Sequence, residues 1–149
     1  MIRIRGALDP DLPALGRLFD EYRQFYKLPG DLEKSTRYLS ARLSAGESIV
    51  LVAVDDADEL CGFTQLYPTW CSLLAAPVYV LYDLYVAPGA RRHGVGRALI
   101  HAATERGRRD GMLRMTLSTA RTNLTAQSLY ESLGWQRDEE FLVYNLGIM

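Results

Sequence analysis

The chain has 149 residues, of which 48% are apolar and 23% charged. That suits one domain, residues 1–149, with a real core, and it excludes a disordered or fibrous protein. A net charge of −1 argues against a nucleic-acid binder, which would be basic overall, and no apolar run approaches the ~20 residues of a membrane span.

The opening MIRIRGALDPDL lacks the apolar core of a signal peptide, so a cytoplasmic protein is expected. Ile2 and Ile4 alternate with Arg3 and Arg5, the pattern of a half-buried strand. A helix follows, with Asp9 as its cap and Pro10 in its first turn. Its apolar face runs through Leu12, Leu15, Leu18, Phe19 and Tyr22, and Pro29-Gly30 ends it. A second helix is expected over residues 32–43, stopped by Gly46. SIVLVAV and LCGFTQLYPTW read as strands joined by the acidic turn DDADE. Residues 71–77 form a connection. VYVLYDLYV is apolar at nearly every position, as a central strand covered on both faces would be. A helix spans residues 94–109 and breaks at Asp110-Gly111. LRMTLST is a strand, and NLTAQSLYESLG is a short helix from Asn123 to Gly134. WQRDEEFLVYNLGI supplies one or two closing strands. The order of elements is mixed α/β on one sheet.

Cys61 and Cys71 have no metal-ligand spacing and are expected as reduced thiols. His93 and His101 lack a cluster of other ligands, so no metal is expected. The charge is unevenly spread. Residues 90–121 hold eight arginines against Glu105 and Asp110. A local cationic segment in a neutral chain suits a compact polyanion.

That segment contains YDLYVAPGARRHGVGRALI, where a strand hands over to a helix through arginines and glycines. Helix starts expose unpaired N–H groups and the positive end of the dipole, and glycine lets a phosphate come close. Arg91, Arg92 and Arg97 flank the start, which makes a good pyrophosphate site. A P-loop would need Gly-Lys-Ser/Thr, which GVGRAL lacks. A dinucleotide fingerprint would need a third glycine where Leu99 stands.

RRHGVGRAL resembles the Arg/Gln-x-x-Gly-x-Gly/Ala signature of the GNAT superfamily of N-acetyltransferases, and NLTAQSLYESLGW is similar to its later Asn-and-Tyr block. The resemblance spans about the whole chain. It looks nearest to bacterial relatives of spermidine/spermine and small histone-type acetyltransferases. It implies a mixed, mostly antiparallel sheet flanked by helices, with splayed central strands. It implies acetyl-CoA as co-substrate, its pyrophosphate on the amides of Arg92, His93, Gly94, Val95, Gly96 and Arg97. The pantetheine arm would lie along Leu84, Tyr85 and Val86, where a bulge near residues 83–85 would part the strand from the next.

The implied reaction is direct attack of a primary amine on the thioester. The developing oxyanion needs a donor, for which the N–H of Leu84 or Tyr85 is placed. The family pattern points to Tyr130 as proton donor to the leaving thiolate; read alone, it is an aromatic packed on a helix with Leu129 and Leu133. Asn123 reads as helix cap, cofactor partner, or both. Many relatives carry a Glu just before the Asp of the central strand, and here Tyr82 holds that place. Asp83 sits in an apolar strand. Burying it is costly unless it is bonded, so it reads either as amine anchor or base, or as a structural carboxylate at the bulge. Tyr26, Tyr67, Tyr82 and Asp83 are the candidate acceptor-binding residues, with Glu21, Asp31 and Glu33 as nearby acids that would suit a cation, polyamine-like or peptide-borne. The missing Glu keeps open a non-catalytic acyl-CoA binding or sensing module. The apolar end EEFLVYNLGIM needs cover from the sheet or from a second copy in a homodimer.

Overall fold

The computed structural model describes residues 1–149, which fall into two compact units, Met1–Leu117 and Ser118–Met149. In the first unit, β1 (Arg3–Gly6), β2 (Ile49–Val54), β3 (Leu60–Cys71), β4 (Ala76–Val86) and β5 (Arg114–Thr116) form one sheet in chain order. β1 to β4 are an antiparallel meander. β5 runs parallel to β4 and is reached through α3 (Val95–Arg109). α1 (Leu12–Phe25) and α2 (Leu32–Ser44) connect β1 to β2. This is the mixed, mostly antiparallel sheet that the sequence implies.

The two faces of the sheet follow from the period of two along each strand. Val50, Val52 and Val54 of β2 pack with Phe63 and Tyr85 against Leu15, Leu18, Phe19 and Leu39 of α1 and α2. The alternate residues Leu51 and Ala53 face the other side, where α3 contributes Val95, Leu99, Ile100 and Ala103. Each Val, Leu, Ile or Phe among them, once buried, contributes roughly 1.5–3 kcal/mol.

Helix entrances differ in detail from the sequence expectation. Asp9 does not cap α1; residues 9–11 make a single 3-10 turn before it. Asp11 organises this entrance instead, because its carboxylate accepts from the Leu8 N–H at 2.7 Å and from both Arg5 Nη atoms at 2.7 and 3.0 Å. α2 is capped by Asp31, whose Oδ1 accepts from the Lys34 N–H at 3.1 Å. The expected connection over residues 71–77 is shorter than read. β3 and β4 stay paired out to Cys71 and Ala76, so that only residues 72–75 turn.

Two irregularities of β4 matter for the site. The register moves from Gln65 opposite Asp83 to Leu66 opposite Leu81, so Tyr82 is an extra residue without a partner. This bulge lies one residue before the expected position and on the β3 side. On the other edge, β5 pairs only with Val78, Tyr79 and Val80. Beyond Val80 that edge of β4 has no strand partner, which is the expected splay.

In the second unit, α4 (Leu124–Ser132) is capped by Asn123, whose Oδ1 accepts from the Ala126 N–H at 3.2 Å. Gly134 takes φ 93° and ends the helix. The ring centroids of Tyr130 and Trp135 are 5.9 Å apart. The closing strands expected over residues 135–148 are not formed. Their β-branched and aromatic content supplies propensity, but a strand needs a ladder partner, and this segment has none within the chain. No helix is long and apolar enough to cross a membrane.

Candidate active site

The first unit holds a cavity of about 420 Å³ between the α1–α2 pair and the β3–β4 hairpin. Phe19, Tyr22, Tyr26, Tyr38, Tyr67 and Tyr82 line it, with Asp83 at its floor. The tyrosines hold one another. The Tyr38 and Tyr67 hydroxyls are 2.6 Å apart, and the Tyr67 and Tyr82 rings meet edge to face at 5.5 Å. Burial and the hydrogen bond to Tyr38 push the Tyr67 phenol far above its ordinary value, so it is neutral. Tyr82 remains 65% exposed because the bulge turns it outward.

Asp83 is only 5% exposed. Its Oδ2 accepts from Gln65 Nε2 at 2.7 Å, and the Tyr22 hydroxyl, which donates to the neighbouring Tyr82 carbonyl at 3.4 Å, lies beside it. Gln65 is itself fixed, because its Oε1 accepts from Ser48 Oγ at 2.8 Å. With the oxygen engaged by Ser48, the amide N–H₂ must face Asp83. Burial raises the Asp83 carboxyl above the ordinary carboxylate range, while the Gln65 bond and the Tyr22 hydroxyl pull it back down. A buried acid of this kind, facing a cavity, holds a proton more readily than an exposed carboxylate does.

The open edge of β4 begins beside this floor. The Ala87 N–H donates to the Cys61 carbonyl at 2.9 Å, so Tyr85 and Ala87 direct their backbone groups to β3 and the alternate residues Leu84 and Val86 direct theirs to the open edge. The Val86 carbonyl is taken by Arg91 Nε at 2.9 Å. The Arg91 guanidinium also lies 5.5 Å from the Tyr85 ring centroid and 6.0 Å from that of Phe25. Leu84 therefore presents a free N–H, which narrows the expected pair of oxyanion donors to one.

Behind the open edge, α3 starts at Val95 after Gly94, which caps it with φ 78° and no side-chain bond. The first intrahelical bond runs from the Ala98 N–H to the Gly94 carbonyl at 3.0 Å. The Val95 and Gly96 amides thus have no acceptor within the helix. A Cβ on Gly94 would meet nothing within 4 Å, so this start faces open space. Arg92, also at positive φ (67°), and His93 are exposed beside it. Gly62 allows α3 to lie this close to the sheet. A Cβ there would stand 3.0 Å from the Tyr85 carbonyl and 3.2 Å from Val95 Cγ1.

A cationic helix start, an unpaired strand edge and a buried carboxylate thus lie along one β-α junction. The family model described as "Acetyltransferase (GNAT) family" matches residues 15–135. The chain belongs to the GNAT family of acetyltransferases. "Uncharacterized N-acetyltransferase YhfO" of Bacillus subtilis (strain 168) is 40% identical over 147 residues, covering 99% of this chain and 98% of that protein. A crystal structure of a probable acetyltransferase superposes with a TM-score of 0.92 at 40% identity, covering 99% of this chain and 98% of its own. The structure of AAC(6')-Iy in complex with the bisubstrate analog CoA-S-monomethyl-acetylneamine superposes at 0.81 with 22% identity, covering 99% of each chain, a likeness of fold.

Within this GNAT chain, Tyr26, Tyr67, Tyr82 and Asp83 come together in one cavity. The residues from Arg91 to Arg97 gather at the α3 start, and Asn123 and Tyr130 belong to the second unit. Three acids that the sequence suggested for the acceptor side are used elsewhere. Glu21 accepts from the Tyr85 hydroxyl at 3.2 Å, Asp31 caps α2, and Glu33 pairs with Arg37 at 3.2 Å. None lines the cavity. Sequence reading missed Gln65 and Ser48. The polar Gln within the apolar run GFTQLY was the available signal. Both cysteines are free, and no three His, Cys, Asp or Glu side chains cluster as metal ligands would.

Proposed function

We propose that this GNAT acetyltransferase moves an acetyl group from acetyl-CoA to a primary amine of a small molecule or peptide held in the tyrosine-lined cavity. The buried Asp83 carboxylate at the floor of that cavity, beside the unpaired edge of β4, is the observation that carries this reading. The donor set fits coenzyme A. Unpaired amides and arginines at the α3 start suit a diphosphate, and the free groups of β4 suit the amides of pantetheine.

When bound, acetyl-CoA supplies the acetyl group as a thioester. The amides of Val95 and Gly96, with Arg92, His93, Gly94 and Arg97, hold the diphosphate. Leu84 and Val86 hold the pantetheine arm, with Tyr85 between them and Arg91 fixing the edge. Asp83 orients the amine and accepts its proton, directly or through water, so that the nitrogen lone pair can form the new C–N bond. The Leu84 N–H faces the oxygen on which negative charge develops. We take residues 1–149 as one functional domain in which Asn123 bonds the donor arm and Tyr130 donates a proton to sulfur as the C–S bond breaks; these two roles rest on the family motif. The same reading puts the reaction in the cytoplasm, where free thiols such as Cys61 and Cys71 persist.

The test is release of coenzyme A thiol by purified protein, acetyl-CoA and a panel of amines. Thiol that appears only when an amine is added supports transfer. Tight coenzyme A binding without turnover on the whole panel favours a non-catalytic acyl-CoA module, and binding of NAD or ATP in its place overturns both readings.

A homodimer belongs to the same proposal. Phe141, Leu142, Val143, Tyr144, Leu146 and Ile148 stay 65–87% exposed in the single chain, an apolar run of the kind that a second copy covers. Light scattering on the eluted protein reads it directly: a dimer mass supports it and a monomer mass refutes it.

A further inference from the structure

The charges around the cavity are unequal. Asp83 is its one acid, while Arg23 of α1 and Lys34 of α2 bring two cations to the wall opposite the strand that carries Asp83. Arg23 makes a side-chain bond from Nη1 to Ser35 Oγ at 3.2 Å, which uses one of the five N–H donors that a guanidinium has. It also faces Asp20, but that carboxylate is already bonded by the Asp31 N–H, Ser35 Oγ and Gln24 Nε2 at 2.9, 2.8 and 3.0 Å, and it lies outside the cavity lining. Lys34 joins none of the ion pairs of the chain.

A polyamine brings several positive charges to a lining that is already net positive, and such like-charge contact selects against it. A simple monoamine would satisfy Asp83 and leave two cations facing apolar ligand. A ligand with one ammonium and one carboxylate answers all three groups, and the tyrosine rings then cover its remaining apolar part.

We infer that the acceptor is a small amino carboxylate, with its ammonium on Asp83, its carboxylate on Arg23 and Lys34, and an apolar side chain among the tyrosines. This deepens the transfer reading above and rests on it. The polyamine-like acceptor suggested by the sequence leaned on Glu21, Asp31 and Glu33, which the structure uses elsewhere.

The experiment compares matched sets: phenylalanine, phenylalaninamide and phenethylamine; leucine, leucinamide and isopentylamine; and spermidine. Thiol release should give the acid at least a tenfold higher kcat/KM than its amide or its decarboxylated amine, and spermidine the lowest. K34Q and R23Q should each bring the acid-to-amide ratio toward one. Lys34 is exposed, so K34Q keeps the fold and carries the test if R23Q does not. An amide, a decarboxylated amine or spermidine used as well as the acid overturns the inference, as does an unchanged ratio in a folded K34Q. If no acceptor releases thiol, the transfer reading fails. Calorimetry of phenylalanine against phenylalaninamide on the coenzyme A-loaded protein then decides this inference alone: tighter binding of the acid upholds it, and equal or weaker binding overturns it.

Discussion

Gln65 donates to Asp83 at 2.7 Å across the β3–β4 ladder, and both side chains are buried. The bond has a direction because Ser48 holds the amide oxygen on its far side. Asp83 is thus anchored from behind, and its remaining acceptor capacity faces the cavity. Replacing Gln65 by Leu leaves a buried carboxylate short of a donor and a buried serine hydroxyl short of an acceptor. Such losses cost about 1–3 kcal/mol each. Q65L should therefore melt several degrees lower and turn over more slowly, and S48A should do the same by less. Calorimetric melting and steady-state kinetics measure both.

The protonation of Asp83 should appear in the rate. Burial raises its carboxyl, so kcat/KM should climb with pH along a limb above the ordinary carboxylate value of ~3.9. D83N should lack that limb and lose at least tenfold in kcat. The stability effect has the opposite sign. A raised folded value contributes stability below the ordinary carboxylate range and loses it as pH rises through the raised value. D83N should thus melt at or above the parent at neutral pH. A variant that keeps both rate and limb would make Asp83 a structural carboxylate only.

Asp20 should behave in the contrary way. The Asp31 backbone N–H, with Ser35, Gln24 and the Arg23 charge, holds its carboxyl below the ordinary range. Its contribution is present above ~3.9 and disappears as pH falls through the depressed value. D20N should cost about 1–3 kcal/mol at neutral pH, and its melting curve should approach that of the parent in acid.

Gly62 and Gly94 serve the α3 start in different ways. G62A should push the first turn of α3 from the sheet and weaken coenzyme A binding, because its Cβ would crowd Tyr85 and Val95. G94A has open space around it but a φ of 78°, and should cost about 1–2 kcal/mol through backbone strain. Titration calorimetry with coenzyme A separates the two, with the larger rise in Kd expected for G62A.

Y130F removes a hydroxyl and keeps the ring that faces Trp135. If Tyr130 protonates the departing thiolate, turnover should fall at least tenfold while the Kd for coenzyme A changes little. An unchanged rate assigns Tyr130 to packing alone.

Much of this was legible in the residues. Gly94 and Gly96 after two arginines marked the α3 start, and the apolar run from Val78 to Val86 marked a strand covered on both faces. The acceptor wall was half legible. Tyr26, Tyr67 and Tyr82 were found as aromatics, but spacing along the chain could not say that Glu21, Asp31 and Glu33 would be engaged elsewhere, since their partners come from other turns and strands. Gln65 was hidden for the same reason, because its meaning lies in Ser48 and Asp83, 17 and 18 residues away. The tail from Trp135 misled because propensity is local and a ladder is not.

The surplus Tyr82 sets which face of the sheet every later residue of β4 takes. Tyr79 and Leu81 pair with Pro68 and Leu66, and Tyr79 reaches Asp110 beyond α3. Asp83 and Tyr85 pair with Gln65 and Phe63, on the side of α1. Four odd-numbered positions thus divide between opposite sides of one ribbon, and a single surplus amino acid causes the division. Deleting Tyr82 would restore plain alternation with the aspartate still opposite Gln65, whereas an unbulged ladder that paired Tyr82 itself with Gln65 would turn the carboxylate toward α3 and leave the tyrosine chamber without an anion.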